Sequence, residues 1–404
     1  SQLSMGLQAR VVFCWLLVSR AFADPAGFVG TASNGSMVLR PADGQQLLIA
    51  GADFSTLLAT VARQERVLET LTQQLGDQQC MVTADTTAIT GLGGSAKWWG
   101  GVLAGNGKIF AIPFYAASVL IIDPTANTAD TTTIAGLSGD AKWVGGVLAG
   151  NGKIYSIPVH SASVLIIDPT TNITDTTTIT GLNGDSKWAG GVLAGNGKIY
   201  GIPHHSASVL IIDPSTNTAD TTTITGLSGD AKWFGGVLAG NRKIYGFPYN
   251  SLSMLIIDPA ASTADTTTIT GLMSGSAKWF GGVLEGNGKI YGIPHNAASV
   301  LIIDPTTNTA NTTTITGMSE SNNKWAVGVL AGNGKIYGIP RDSTSVLIID
   351  PTTNTADTTT ITGLSGDAKW NGGVLAGNGK IYGIPRDSTS VLIIQQFCGN
   401  VKGL

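Results

Sequence analysis

All four histidines of the chain lie in one kind of segment, the stretch that follows an Ile-Pro or Phe-Pro pair. This stretch recurs seven times, and two adjacent positions in it, which we call the loop pairs, vary most between the copies. The loop pairs are Phe114-Tyr115, Val159-His160, His204-His205, Tyr249-Asn250, His295-Asn296, Arg341-Asp342 and Arg386-Asp387. Aromatic rings stack on ligands, and imidazole, amide and guanidinium groups hydrogen-bond to them.

The loop pairs therefore predict a surface that binds a glycan or a peptide. The candidate contact residues are Tyr115, His160, His204, His205, Tyr249, Asn250, His295, Asn296, Arg341, Asp342, Arg386 and Asp387. Drift after repeat duplication is the alternative explanation of the variation.

The sequence lacks the residue patterns that are typical of catalytic and metal-binding sites. His204 and His205 are adjacent, but no Cys, Asp or Glu cluster with metal-ligand spacing accompanies them. The sequence contains no nucleophile elbow, phosphate loop or paired-carboxylate arrangement. We therefore expect no catalytic residue, no metal and no cofactor, and a protein that is not an enzyme.

A repeat positions these residues. A Lys-Trp pair recurs with Trp98, Trp143, Trp188, Trp233, Trp279, Trp325 and Trp370, at spacings of 45 or 46 residues. Each unit contains four β-favouring runs, for example WVGGVLA, KIYSIP, SVLIID and DTTTIT, separated by turn residues. Four antiparallel strands per unit predict an all-β, seven-bladed propeller, with a β-solenoid as the structural rival.

The two ends of the repeat region predict how the ring closes. The last unit stops after Val391–Ile394, and its missing strand is found before the first tryptophan, at residues 84–92. We therefore expect residues 84–91 to pair with residues 391–396, because an unpaired terminal strand would expose backbone N–H and C=O groups that can pair with another chain. Cys80 and Cys398 align with adjacent positions of one turn, which favours a disulfide between them; free thiols or an intermolecular bridge are the alternatives.

A second variable position follows each tryptophan and is occupied by Trp99, Val144, Ala189, Phe234, Phe280, Ala326 and Asn371. In a propeller, the loops between strands two and three and those between blades share one face. Both variable sets should therefore meet around the mouth of the central channel. The seven lysines before the tryptophans should lie in solvated loops on that face, or form a positive ring there, while the tryptophans pack between blades.

The segments before the propeller have other signatures. Residues 1–23 have the order of a secretory signal peptide, and residues 24–52 contain a predicted hairpin turning at Asp43-Gly44. Residues 53–76 carry a heptad seam and predict a helix that forms a homo-oligomer, with packing on its own propeller as the alternative. The propeller occupies residues 80–398, and residues 399–404 form a tail.

Composition limits the function class. The 404 residues have a net charge of −3 and 43% hydrophobic residues, which argues against a disordered chain and against nucleic-acid binding. No run after the signal is long enough to span a membrane, so we expect a secreted, extracellular protein. Asn34, Asn172 and Asn311 occupy glycosylation sequons.

The segments KIYGIP, SASVLIIDPSTNTADTTTITG and GGVLAGNGKIYG resemble the units of the YVTN family of extracellular β-propellers. The resemblance covers about residues 84 to 396. The repeat is also loosely similar to tachylectin-like sugar-binding propellers. Both resemblances imply binding or surface roles rather than catalysis, and neither assigns a binding residue. We therefore expect an oligomeric binding module for a glycan or protein ligand; a structural or adhesive coat subunit is the alternative.

Overall fold

The computed structural model describes the backbone of residues 28–31, 37–40, 47–49, 63, 78–319 and 321–400, and the side chains of 63, 80–319 and 321–397. The chain divides into two compact units, residues 81–397 and residues 1–80 with 398–404. In the second of these, β1 (Phe28–Thr31), β2 (Met37–Arg40) and β3 (Leu47–Ile49) form an antiparallel sheet. The predicted signal peptide, the turn at Asp43-Gly44, the tail from residue 401 and the helix at 53–76, apart from Arg63, lie outside the described residues.

The larger unit is a seven-bladed β-propeller built from antiparallel four-stranded sheets. The first strands of blades 1 to 7 are β5 (Trp98–Leu103), β9 (Trp143–Leu148), β13 (Trp188–Leu193), β17 (Trp233–Leu238), β21 (Trp279–Leu284), β25 (Trp325–Leu330) and β29 (Trp370–Leu375). The second strands are β6 (Ile109–Pro113), β10 (Ile154–Pro158), β14 (Ile199–Pro203), β18 (Ile244–Pro248), β22 (Ile290–Pro294), β26 (Ile336–Pro340) and β30 (Ile381–Pro385). The third strands are β7 (Leu120–Asp123), β11 (Leu165–Asp168), β15 (Leu210–Asp213), β19 (Leu255–Asp258), β23 (Leu301–Asp304), β27 (Leu347–Asp350) and β31 (Leu392–Asn400).

The fourth strands are β8 (Thr128–Asp130), β12 (Ile173–Asp175), β16 (Thr218–Asp220), β20 (Thr263–Asp265), β24 (Thr309–Asn311), β28 (Thr355–Asp357) and, in blade 7, β4 (Gln78–Asp85). In blades 1 to 6 they have three residues each, so they are shorter than the predicted DTTTIT runs and lie earlier in the chain. The reason is local: in blade 2 the carboxylate of Asp175 accepts hydrogen bonds from the backbone N–H of Thr177 (2.7 Å) and Thr178 (3.1 Å). This side-chain turn competes with the strand ladder and ends it.

Closure of the ring is confirmed. The N-terminal strand β4 completes blade 7 beside β31, and β29 packs against β5 of blade 1. The closing strand ends at Asp85, so most of the predicted 84–91 segment follows it, although Ile89 O still accepts a hydrogen bond from Val391 N (3.0 Å).

Cys80 is disulfide-bonded. Its pairing with Cys398 stays a prediction, because the side chain of Cys398 lies outside the described residues.

The hydrophobic core consists of layers between neighbouring blades. Between blades 2 and 3, for example, Tyr155 and Ile157 pack with Trp188 and Ile199, all buried. The indole N–H of Trp188 donates to Ser208 O (2.7 Å), so the tryptophan is satisfied while it packs between the two blades. The predicted role of the tryptophans as inter-blade contacts is therefore confirmed for this interface, and the other six have the same bond.

The seven lysines before the tryptophans are not solvated. They are 2 to 5% exposed. Lys232 Nζ donates to the carbonyl oxygens of His204 (3.0 Å), Ser206 (3.0 Å) and Gly229 (2.7 Å), and so joins blade 4 to the loop of blade 3. Burial lowers the pKa of Lys232 to about 8, which still leaves it charged at neutral pH. Both expectations for the lysines, solvated loops and an exposed positive ring, were wrong, because each ammonium is buried on backbone carbonyls. In six of the seven, carbonyls of the preceding blade are among the acceptors, and Lys324 donates to Ser321 O.

A second inter-blade contact predicts a stabilising substitution. Tyr155 Oη donates to Asn217 Oδ1 in the next blade (2.6 Å), and Tyr245 Oη donates to Asn308 Oδ1 (2.7 Å). For Tyr200 of blade 3, the equivalent position in the next blade is occupied by Ser262 instead of asparagine. Ser262 has a φ of 55°. Ser262→Asn should raise the free energy of unfolding by about 1 kcal/mol, because asparagine tolerates positive φ and supplies the missing acceptor.

Chemical denaturation of this variant checks the prediction. In a double-mutant cycle, Tyr200→Phe should cancel the part of the gain that comes from the hydrogen bond. An unchanged denaturation midpoint in Ser262→Asn would contradict the assigned contact.

The Asp-Thr turns predict acid sensitivity. Hydrogen bonds from Thr178 and Thr177 lower the pKa of Asp175 to about 2, from a usual value of 3.8. The stabilisation that this carboxylate gives is complete above pH 3.8 and is lost as the pH falls through about 2. Thermal melting of Asp175→Asn should show a lower melting temperature than the parent at pH 7 and the same value at pH 2.

The chain supplies the reciprocal control, because blade 5 naturally has Asn311 at this position, accepting from Thr313 N (2.8 Å). Asn311→Asp should be more stable than the parent at pH 7 and should lose that advantage below pH 3. Parallel pH profiles for both variants and the parent would contradict the assignment.

Candidate functional site

Residues from the two variable sets meet at the centre of the propeller. Of the residues that follow the blade tryptophans, Val144, Ala189, Phe234, Phe280 and Ala326 are buried together with Val159, and Trp99, Phe114 and Tyr249 pack against them. We call this group the central cluster. The predicted convergence of the two variable sets is therefore observed.

Glycines bring the inner strands close enough to form this cluster. Gly100, which follows Trp99, has a φ of 81°, and a Cβ added there would lie 3.0 Å from the Cα of Gly145 in the next blade. The same position is glycine in every blade except blade 6, which has Val327 without positive φ. The inner strands therefore approach backbone to backbone, and the residues before these glycines meet at the centre.

The cluster has a mainly aromatic sector. The rings of Phe234 and Phe280 stack at 3.8 Å, and Trp99 stacks on both at 5.8 Å. Phe114 meets Trp99 edge to face at 4.8 Å and Tyr115 at 4.9 Å. Trp99 and Phe114 are half-buried and Tyr115 is 45% exposed, so this sector presents aromatic surface to solvent.

His204 lies next to the same sector. Its ring is 5.2 Å from Tyr249 and 5.8 Å from Phe234, and its Nδ1 lies 3.2 Å from the Trp233 carbonyl oxygen. Burial lowers the pKa of His204 to about 4, so the ring is neutral at pH 7. A neutral ring that donates from Nδ1 keeps Nε2 as a hydrogen-bond acceptor.

His295 is enclosed rather than presented to a ligand. It is fully buried, and its Nδ1 donates to Trp325 O at 2.8 Å. Its Nε2 must then accept from Arg341 Nη1, at 3.1 Å. Burial lowers the pKa of His295 to about 4. His295 therefore positions Arg341.

The second members of four loop pairs support the neighbouring loops. Their side-chain oxygens accept hydrogen bonds from backbone amides of the following blade: Asn250 from Ala277, Asn296 from Asn323, Asp342 from Ala368 and Asp387 from Ala96. The donor residues all have φ between 50° and 55° except Ala368, at 47°. The geometry gives these four side chains a structural role; ligand contact by them stays a prediction.

The remaining histidines lie at the rim. His160 Nε2 is 3.1 Å from Ser186 Oγ, and His205 Nδ1 is 3.2 Å from Ser186 O. Both side chains are exposed. Their ligand-binding role also stays a prediction, and no group of three or more potential metal ligands occurs among the described residues.

Blades 6 and 7 give the cluster a polar sector. Arg386 pairs with Asp387 (Nη1 to Oδ2, 3.0 Å), and its guanidinium carbon lies 5.8 Å from the centre of a Trp99 ring. Asn371, the blade 7 counterpart of Trp99, is fully buried. It was not among the predicted contact residues. Its signal in the sequence is that it is the only polar residue at that position among the seven repeats.

No protein-family model matches the chain, and no curated protein matches its sequence. Solved structures do share its fold. A streptogramin B lyase has a TM-score of 0.62 at 11% identity, covering 79% of this chain and 98% of the lyase. Virginiamycin B lyase from Staphylococcus aureus has a TM-score of 0.62 at 10% identity, covering 78% and 99%. The extracellular domain of a protein assigned to the one-component systems of B. thetaiotaomicron has a TM-score of 0.58 at 12% identity, covering 91% of this chain and 46% of that one.

These similarities establish the fold and correct one expectation. The prediction that the protein is not an enzyme is overturned, because lyases are among the proteins that share this fold. The expected propeller class is confirmed, whereas the resemblance to the YVTN family stays a prediction. Within the described residues, no helix has the length and apolar character needed to cross a membrane.

Proposed function

We propose that the protein is an extracellular binding module that recognises a carbohydrate ligand through the aromatic sector of the central cluster. The observation that carries the proposal is the half-exposed surface of Trp99, Phe114 and Tyr115, built at the positions where the repeats differ. The C–H faces of sugar rings pack on such aromatic surfaces, and side chains on a rigid scaffold lose little entropy when they bind.

The surrounding structure supports a binding role. Buried strands and the lysine contacts between blades make the scaffold around the cluster rigid. The loop pairs lie in loops, where recognition residues are commonly found. Extracellular domains of proteins assigned to the one-component and hybrid two-component systems of B. thetaiotaomicron share the fold. The proposal includes the predicted export signal at residues 1–23 and the predicted oligomerising helix at 53–76, because an oligomer would bind a repetitive glycan with avidity.

A glycan array probed with the mature chain tests this function. Trp99→Ala and Tyr115→Ala should remove binding to any glycan that the parent binds. Ile173→Ala is the matched control, since Ile173 is 65% exposed on the fourth strand of blade 2, outside the cluster. Equal binding by the parent, Trp99→Ala and Tyr115→Ala would contradict the proposed surface. A silent array together with ordered self-association would favour the coat-subunit alternative.

Catalysis at the same surface is a second candidate. The fold is shared with lyases, and His204 presents a neutral ring with an acceptor nitrogen beside Tyr249. Mass spectrometry of a bound ligand after incubation with the parent and with His204→Ala distinguishes the two functions. Cleavage by the parent alone supports catalysis, and an unchanged ligand supports binding.

A further inference from the structure

Unpaired polar atoms concentrate in the polar sector. Among the described side chains, the buried nitrogen and oxygen atoms without a hydrogen-bond partner are Asn371 Nδ2 and Oδ1, Arg341 Nε, Arg386 Nε and Ser156 Oγ. All but Ser156 Oγ belong to blades 6 and 7 on the side of the central cluster. A buried polar atom that stays unpaired destabilises the fold, and a ligand that pairs with it removes that cost.

The repeat places the three residues together. Asn371 follows its blade tryptophan as Trp99 and Phe280 do, and Arg341 and Arg386 follow their prolines as His295 does. His295 contacts Phe280 of its own blade at 4.5 Å and binds Trp325 O of the next blade at 2.8 Å. The residue that directly follows the proline of the second strand therefore lies between two residues that follow blade tryptophans, one in its own blade and one in the next. By this equivalence, Arg341 and Arg386 flank Asn371 on either side.

The charges around this site favour an acceptor group on the ligand. Arg341 is held by the neutral His295, and Asp342 and Asp387 each use one oxygen to accept a loop amide. Asp387 also pairs with Arg386, and Tyr249 is the other titratable group near Arg341. Three of the unpaired groups, the two Nε–H and the Asn371 amide N–H₂, are donors, and one, Asn371 Oδ1, is an acceptor.

We propose that this sector binds the carboxylate of a sugar acid such as a hexuronate, an inference that rests on the proposed function and names its ligand class. The carboxylate accepts from Arg341, Arg386 and Asn371 Nδ2, and a ring hydroxyl donates to Asn371 Oδ1. Planar guanidinium and carboxylate groups make paired hydrogen bonds with good geometry. The sugar ring packs on Trp99, beside Arg386. Asn371 is fully buried in the free protein, whereas both arginines retain exposed surface. In this proposal the arginine side chains turn on binding, so that their Nε–H groups and the Asn371 amide face the ligand.

Calorimetric titration of the full mature chain with oligogalacturonate and with the matching neutral galactose oligomer tests the proposal. We expect the acidic oligomer to bind at least tenfold more tightly, with an advantage that shrinks as salt rises. Arg341→Met and Arg386→Met should each reduce affinity for the acidic oligomer about tenfold, the equivalent of one strong charged hydrogen bond, and leave the neutral oligomer unaffected. Arg242→Gly is the matched control, since it restores the glycine that other repeats have in a distant hairpin.

Asn371→Ala keeps the test independent of folding. Alanine occupies this position in blades 3 and 6 as Ala189 and Ala326, so it fits the ring. The variant should lose the preference for the acidic oligomer while its melting temperature stays equal or rises, because unpaired amide atoms are removed.

The outcomes separate the two proposals. Equal affinity for both oligomers, with Trp99→Ala abolishing both, overturns the carboxylate site and keeps the carbohydrate-binding function. Binding of neither oligomer, with a silent glycan array, overturns both. Tighter binding of a peptide through its terminal carboxylate overturns the sugar-acid assignment.

Discussion

Replacing Lys232 with methionine should lower the free energy of unfolding by about 2–4 kcal/mol. Methionine fills the space of the buried stem but cannot donate to the carbonyl oxygens of His204, Ser206 and Gly229, which Nζ contacts at 2.7 to 3.0 Å. Buried acceptors left without a donor cost about 1–3 kcal/mol each, reduced where a carbonyl keeps a second partner. Denaturant titration of parent and variant measures the difference.

Lys198 supplies the control within the neighbouring repeat. Its Nζ lies 3.3 Å from Asp213 Oδ2, and the Lys198 and Asp213 side chains are 43% and 24% exposed. Lys198→Met should cost less than about 1 kcal/mol, as surface ion pairs do. Equal destabilisation by the two substitutions would mean that the buried lysines act as surface charges and not as links between blades.

Gly372→Ala should destabilise the propeller by about 2–5 kcal/mol. Gly372 has a φ of 123°, and an added Cβ would lie 2.7 Å from the Cα of Gly100, across the interface where blade 7 meets blade 1. The methyl group meets backbone rather than a flexible side chain, so the clash adds to the conformational strain. The substitution should therefore loosen the closing interface of the ring.

Gly377→Ala is the matched control in the same blade. Its φ is not positive, and nothing lies within 4 Å of the added Cβ. Its melting temperature should match that of the parent, whereas Gly372→Ala should melt several degrees lower. If Gly372→Ala melted at the same temperature as the parent, the 2.7 Å approach between this Cβ and the Cα of Gly100 would be contradicted.

The propeller was predictable from the sequence because its signals are local. The tryptophan spacing, the turn residues and the β-favouring runs together predict each blade, and the missing strand of the last unit predicts closure. The predicted positions of the fourth strands were wrong because Asp175 and its equivalents accept hydrogen bonds from the threonines that follow them. These side-chain bonds end the strand, and β-propensity alone does not predict them. The lysines were misjudged for a similar reason: the carbonyls that enclose Lys232 belong mainly to another repeat.

The candidate site was predictable only in part. Variation between repeats correctly predicted that Trp99, Tyr115 and His204 lie near one another, since equivalent positions of a symmetric scaffold converge, whereas their contact with a ligand stays a prediction. Variation alone did not distinguish exposed residues from supporting ones, so His295 was expected at the surface and lies buried beneath Arg341. Distinguishing them requires the contacts between blades, which depend on the closed ring.

The completion of blade 7 by β4 has a consequence for how the chain folds. Every other described blade is a continuous segment and can form by short-range pairing, whereas β4 and β31 meet only after all the intervening blades are in place. Until then β31 is an open edge, and the fourth strands of blades 1, 3, 4 and 6 repeat the last three residues of β4, Thr-Ala-Asp. Closure should therefore be the slow kinetic step. At high concentration a strand from a second copy can take the vacant place, which makes strand-swapped chains the characteristic misfolded product.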